Sequence, residues 1–357
     1  MSNRSSNGRS FDIADAIFWF FKCFGARPLG AMWIALWQAL VGGFLAALIF
    51  YLILPAFADL GATVIELDDG SISEEEGGLI ILGAVFRLLA AGSWGMILGV
   101  LAALSFQGAW LRFLTRGEIA PVIPLRLGSD ELRLFGVNLL YIGVGMAMYF
   151  GVVMVLLTLG VTGGGIIAAS GENSVSGAVG FGLTMFLGVI AIAVSVIFIA
   201  VKLSCAPALS VHDRKFRFFE SWEATNSVFG HMVLSYLVVG MLILVLALVV
   251  GTMIELIFLG ALLPLLGEIM VLVEHGAQPT VDELIEIVRG RLMHAEALVP
   301  VAIGLVLSYI LQIVYEGMWH GVAAYNAVRY RDGSTQDEGD APVLGEDSPL
   351  GASPREG

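Results

Sequence analysis

The sequence predicts an all-α fold: a polytopic transmembrane helical bundle of about six spans, with amphipathic interfacial helices. Three observations predict it. Of 357 residues, 58% are hydrophobic and only 14% charged, with a mean hydropathy of +0.88. A soluble domain carries roughly 45–50% apolar and about 25% charged residues. Six apolar runs are long enough to cross the hydrocarbon core, which takes about 20 residues of helix. Basic residues keep to alternate loops.

The runs are residues 29–54, 79–103, 134–157, 177–201, 233–256 and 298–321. In a bilayer only helices or closed barrels satisfy every backbone polar group internally. These runs are continuous rather than alternating with period two, which selects helices. Ala56 and Ala58 make a small-x-small sequence after the first run. That run exceeds the core of a signal peptide, about 7–15 residues, so it is expected to be retained as a span.

Lys and Arg set the orientation. Arg4, Arg9, Lys22 and Arg27 precede the first run; Arg112, Arg116, Arg126 and Arg133 follow the second. Lys202, Arg214, Lys215 and Arg217 follow the fourth, and Arg329, Arg331 and Arg355 follow the sixth. The opposite loops hold only Arg289 and Arg291. By the positive-inside rule the base-rich loops and both termini are cytoplasmic. For a bacterial chain this means the inner (plasma) membrane.

The formal net charge is -13. Acids gather in the loop holding Asp68, Asp69, Glu74, Glu75 and Glu76 and in the C-terminal tail. Both read as solvated segments. Without a broad basic surface, nucleic acid is not an expected partner. Cys23 and Cys205 lack CxxC or zinc-ligand spacing. Both are expected near the cytoplasmic face, where thiols stay reduced.

Three stretches read as interfacial amphipathic helices, each ahead of a pair of spans. In the first, residues 11–24, Ser10 is a candidate N-cap. Asp12, Asp15, Trp19 and Lys22 fall on one side, and Ile17, Phe18, Phe21 and Phe24 on the other. The second starts at Ser129, with Asp130 and Glu131 in its first turn, where the helix dipole favours acids. The third, residues 216–229, spaces Phe218, Trp222, Thr225 and Phe229 along one stripe, with Arg217 and Glu220 away from it. A unit of interfacial helix, span, span is thus used three times. Phe106-Gln107-Gly108-Ala109-Trp110 and Tyr315-Glu316-Gly317-Met318-Trp319 echo one another at the exits of spans 2 and 6. All units enter from one side, which predicts a parallel repeat about an axis along the membrane normal.

Residues 257–273 are apolar but broken by Pro264, Gly267 and Glu268, and read as a re-entrant or surface-lying piece. Residues 281–297 read as a helix with Thr280 as its cap. The run Gly163–Gly165 reads as a turn between spans 3 and 4. Residues 1–27 form a cytoplasmic tail and interfacial helix, 28–331 the six-span domain, and 332–357 an acidic tail expected to be disordered.

Candidate chemistry is sparse. Arg87 lies inside the second run, where an arginine costs about 2.5–3.5 kcal/mol at mid-helix. It either lines a pathway, paired with Glu255, or snorkels to the outer interface. Glu316 and His320, with Gln312 a turn earlier, share one face of span 6. They read as a proton relay or half of a metal site, or as the polar end of a span meeting headgroups. Gly95 and Gly99, and Gly317 and Gly321, are small-xxx-small pairs suited to close helix packing. No Walker, GxSxG or HExxH motif is present, and no cofactor is expected. Arg214, Lys215 and Arg217, with Trp222 as an interfacial anchor, are candidates for anionic headgroups, worth roughly 1 kcal/mol per base.

One stretch carries a resemblance. Lys202 ends a span, Ala206-Pro207-Ala208 makes a small-Pro-small turn, and Phe218-Phe219-Glu220-Ser221-Trp222-Glu223-Ala224-Thr225 opens the next span. This pattern resembles bacterial multi-span proteins similar to the membrane domain of glycerophosphoryl diester phosphodiesterases. The stretch from Leu125 to Arg133 resembles an uncharacterised branch of the same group. The resemblance implies architecture over most of the chain but no activity, because the hydrolytic residues of those enzymes sit in a separate soluble barrel. The expectation is a non-catalytic inner-membrane protein acting through membrane lipids or a protein partner. The alternative is a small-solute or lipid transporter with Arg87, Glu255, Glu316 and His320 near its pathway.

Overall fold

A computed structural model describes residues 10–68, 70–120, 122–170, 175–274, 290 and 294–337. Two short helices, α1 (Ile13–Ile17) and α2 (Trp19–Ala26), lead into a hairpin of α3 (Pro28–Asp68) and α4 (Glu74–Arg116). The second hairpin is α5 (Ser129–Ser170) and α6 (Val175–Leu203). Short α7 (Ala206–His212) and α8 (Glu220–Asn226) precede the third. Its first arm is α9 (Phe229–Leu246), one π-helical turn at Ala247–Gly251, and α10 (Thr252–Glu274); its second is α11 (Ala295–Asp337). Six helices are long and apolar enough to cross a membrane, so the chain is a multi-pass, all-α membrane protein.

The helices outrun the apolar runs, and several expectations change with them. Residues 257–273 are neither re-entrant nor surface-lying. They continue the fifth span through Pro264 and pack along α11. Proline is tolerated there because neighbouring helices and local adjustment satisfy the freed carbonyl. Gly163–Gly165 is helical, not a turn, and Phe181 of α6 fills the space beside Gly163. The second interfacial helix is no separate element: it is the first turns of α5. Asp12, not Ser10, caps α1, its carboxylate accepting the Asp15 N–H at 3.0 Å. The last helix reaches Asp337, beyond the tail boundary expected at 332. The helix expected over 281–297 lies largely outside the described residues, as does the rest of the tail.

The first interfacial segment also turns its faces differently. Ala16, Ile17, Trp19, Phe20 and Cys23 are buried, while Phe18 and Phe21 are half exposed. Trp19 therefore serves the core, and its indole N–H donates to the Leu114 carbonyl at 3.0 Å. A break between Ile17 and Trp19 rotates the helix enough to bring both residues inward.

All three clusters of buried apolar residues lie at the base-rich end of the bundle. There the units close on one another in a ring. At the exit of α4, Gly108 abuts the Glu131 side chain at the start of α5. At the exit of α6, the Lys202 carbonyl accepts from Ser221 of α8 at 2.8 Å. At the exit of α11, Gly317 and Gly321 receive Phe20 and Trp19 of α2. Each hairpin thus docks on the entry segment of the next, and the third docks on the first. The Gly317–Gly321 pair seats an entry helix rather than a neighbouring span. Toward the far end each hairpin is held mainly to itself: Ile49 lies against Gly95, Leu159 against Gly188 and Phe258 against Gly304. Large apolar side chains such as Phe57, Phe86, Phe186 and Leu263 face outward there.

Candidate functional site

The base-rich end is a charge network before it is a surface. Helix α4 stops at Gly117, whose φ of +63° closes the helix in the left-handed region that glycine adopts freely. Its last two turns carry Arg112 and Arg116 across to the acids that open α5. Arg112 pairs with Glu131, and Arg116 with Asp130 at 2.8 Å. Arg133 reaches Asp130 at 2.6 Å. The other Glu131 oxygen accepts the Gly128 N–H at 2.8 Å, capping α5. Arg112 and Glu131 have side chains only 4% and 3% exposed. Buried charges persist only where pairing and hydrogen bonds compensate their desolvation, and here both do.

A second centre is Asp213, which pairs with Arg331 of α11, with Arg217 at 3.3 Å and with His212 at 3.1 Å. Burial alone would raise its carboxyl. The hydrogen bond from His212 and the Arg331 charge outweigh burial and hold it below the usual carboxylate range. Arg217 also reaches Glu220 at 2.8 Å, which draws that carboxyl below its ordinary value. Burial pushes the Cys23 thiol up to about 12, so it is inert as a nucleophile at neutral pH. Cys205 is likewise buried and free.

The predicted lipid-facing group divides. Arg217 is engaged inside the protein, and Arg214 reaches Glu118 at 2.6 Å. Lys215 is exposed and has no ion pair among the described residues; Arg126 is the same. Trp222 is half exposed and stacks edge-on to Phe198 at 5.6 Å. Its other partner was not anticipated. Lys202 is buried, and its ammonium lies 5.2–5.8 Å from the rings of Phe198, Trp222 and Phe229 while donating to Asn226 Oδ1. Such cation–π contacts contribute about 0.5–2 kcal/mol. The Phe218-x-x-Ser221-Trp222-x-x-Thr225 pattern acquires a physical meaning here. Phe218 is buried beside Leu203, Ser221 and Thr225 bond the orphan Lys202 carbonyl, and Trp222 covers the Lys202 ammonium. The motif is a clamp on the end of α6, whose last carbonyls have no intrahelical partner.

The four intramembrane polar residues do not converge. Arg87 pairs with Asp59 of α3, not with Glu255. It lies twenty residues before Gln107 on α4, about 30 Å of helix rise. That separation is a whole hydrocarbon core. Glu255 is exposed on α10 without an ion pair among the described residues. Glu316 is near the base-rich end, where it accepts from Gln312 at 3.0 Å and from Gln38 at 3.3 Å. Gln38 in turn accepts the Trp110 indole N–H at 2.8 Å. The echo position Gln107 makes the matching contact one seam away, accepting from Asn138 of α5 at 2.9 Å. Gln38 and Asn138 were missed, and their only signal is an amide alone in an apolar run. No group of acids, histidines and cysteines able to hold a metal occurs among the described residues.

His320, one turn beyond Glu316 on α11, lines a cleft of about 320 Å³. This cleft lies where the hairpins diverge. Gln107, Tyr141, Ser204, Tyr236 and Trp319 supply the rest of its polar wall. Tyr141 donates to the Leu203 carbonyl at 2.6 Å, and Tyr236 packs on Trp319 at 5.0 Å. No family model matches the chain, no curated protein is similar to it, and no solved structure matches it.

Proposed function

We propose that this is a bacterial inner-membrane protein, with both termini cytoplasmic, that works without catalysis through contacts with bilayer lipids or another protein. One observation carries the reading. Three hairpins extend from a consolidated base-rich platform, and their apolar flanks and the crevices between them open to the bilayer. Unpaired Arg126 and Lys215 add a basic rim suited to anionic headgroups. Transport is the weaker reading, because Arg87, Glu255, Glu316 and His320 are spread over the bundle rather than aligned on one path. The clamp of Phe218, Ser221, Trp222 and Thr225 on α6 supports kinship with the membrane domain of glycerophosphoryl diester phosphodiesterases. That kinship is architectural and brings no hydrolytic residue.

The test is native mass spectrometry of the protein released from nanodiscs, with and without Arg126→Gln and Lys215→Gln. Wild type is expected to retain phospholipid, and the double variant to retain less anionic phospholipid. A lipid-free spectrum for wild type would overturn the reading. A reporter fused at Gly70 is expected to read out on the periplasmic side, and a cytoplasmic signal there would invert the topology.

A further inference from the structure

The cleft beside His320 does not end at its polar wall. Met148, Val196 and Ile199 line it, and the same three residues line a second space of about 390 Å³ between α5 and α6. That second space is apolar. It runs from Met148 to Leu159 on one helix and from Ile199 back to Gly188 on the other. Each stretch is twelve residues, eleven steps of about 1.5 Å or about 16 Å of helix rise. Half of a hydrocarbon core about 30 Å thick is the same length. A groove of this size matches the chain of one leaflet, with the polar cleft at its interfacial end.

The polar end has a definite chemistry. Its hydrogen-bonding side chains are Gln107, Tyr141, Ser204, Tyr236, Trp319 and His320. No Asp, Glu, Lys or Arg lines it. An anionic head finds no permanent cation in this lining and a cationic head no carboxylate, the Glu316 side chain one turn before His320 standing outside it. Burying either without a partner is costly, whereas a hydroxyl or ester is satisfied by neutral donors and acceptors. The His320 ring has no hydrogen-bond partner among the described residues, although polar groups in such surroundings are normally paired. Three of the other polar groups are already fixed in place: Gln107 by Asn138, Tyr141 by the Leu203 carbonyl and Ser204 by the Val201 carbonyl.

We infer that the cleft and groove form one binding site for a single-chain amphiphile with an uncharged, hydroxyl- or ester-bearing head. The head sits against Gln107 and His320, and the chain lies between α5 and α6. This rests on the lipid-contact reading above and narrows it to one site and one class of head.

The probe is 1-monooleoylglycerol, titrated into nanodisc-embedded protein and followed by native mass spectrometry. An oleoyl lysophosphatidylglycerol of the same chain serves as the anionic comparator. Wild type is expected to bind the neutral probe at least tenfold more tightly. His320→Leu is expected to bring the two to near parity. Gly151 lines the groove and has open space where a Cβ would stand, so Gly151→Phe fills the groove without disturbing α5. It is expected to weaken the neutral probe at least tenfold. Gly83→Phe, in equally open space on α4, is expected to leave binding unchanged. Equal affinity of wild type for both probes, or equal weakening by Gly151→Phe and Gly83→Phe, would reduce the groove to ordinary annular lipid and overturn the site. Phospholipid retained in the same spectra reports the broader reading separately: lipid present without head selection sinks this site alone, and lipid-free protein sinks both.

Discussion

Leu111 and Leu183 are both leucines in long apolar helices, yet the first is fully buried and the second 57% exposed. The two stand for two regimes within one chain. At the base-rich end, entry helices, span exits and the α11 terminus pack into cores with large enclosed side chains such as Trp110, Phe113 and Met232. Nearer the far end, helices meet mostly their own hairpin partner. Lipid tails are as apolar as leucine, so apolar burial alone gives helices no reason to associate there. The difference teaches that specific pairing, not hydrophobicity, decides where this bundle is tight. It is tight where ion pairs, amides and capped carbonyls bridge units. It opens where only aliphatic surface is available.

The sharpest way to break that contrast is to unpair the buried charges. Arg112→Met leaves Glu131 buried without its cation and is expected to destabilise by about 3–5 kcal/mol. Arg112→Met with Glu131→Met together should recover most of the loss. Thermal melts in a mild detergent, read by near-UV circular dichroism, measure both. A double variant no better than the single would mean that the pair is not what joins α4 to α5. A smaller effect is expected from overfilling the ring. A Cβ at Gly317 would overlap the Phe20 ring, whereas a Cβ at Gly83 meets nothing within 4 Å. Gly317→Ala should therefore cost about 1–3 kcal/mol, and Gly83→Ala close to nothing, in the same melts. Equal melting temperatures for the two would erase the distinction between the regions.

The least effect comes from acid. Asp213 has a carboxyl held below its usual range, and an unfolded aspartate titrates near about 3.9. Its contribution is therefore complete above that value and is lost as pH falls through the lower folded value. The difference in melting temperature between wild type and Asp213→Asn should hold through the neutral range. It should shrink only below about pH 4. A difference that shrank already near neutrality would mean that the Asp213 carboxylate is not what the substitution removes.

Much of this was readable beforehand, for physical reasons. Span number follows from apolar run length. What escaped were contacts that depend on the angle between elements. Trp19 looked polar-sided because the periodicity was read through Phe18 as one helix, whereas the chain breaks there. Arg217 looked available to lipid because Asp213 and Arg331 are distant in sequence from one another. The 257–273 segment looked broken because Pro264 normally ends a helix in water. Packing along α11 makes it a span. His320 was singled out for its spacing from Glu316. What the structure gives it is a cleft whose other walls come from five further helices.

The closing of the third unit onto the first has a consequence for biogenesis. Residues enter the membrane in chain order, N-terminal segments first. Phe20 and Trp19 of α2 therefore emerge well before Gly317 and Gly321, which receive them. Until then α2 rests on α4, through Leu114 and Trp110, and its seat on the third unit stays empty. Truncation anywhere before α11 therefore leaves an open seam at the opposite terminus.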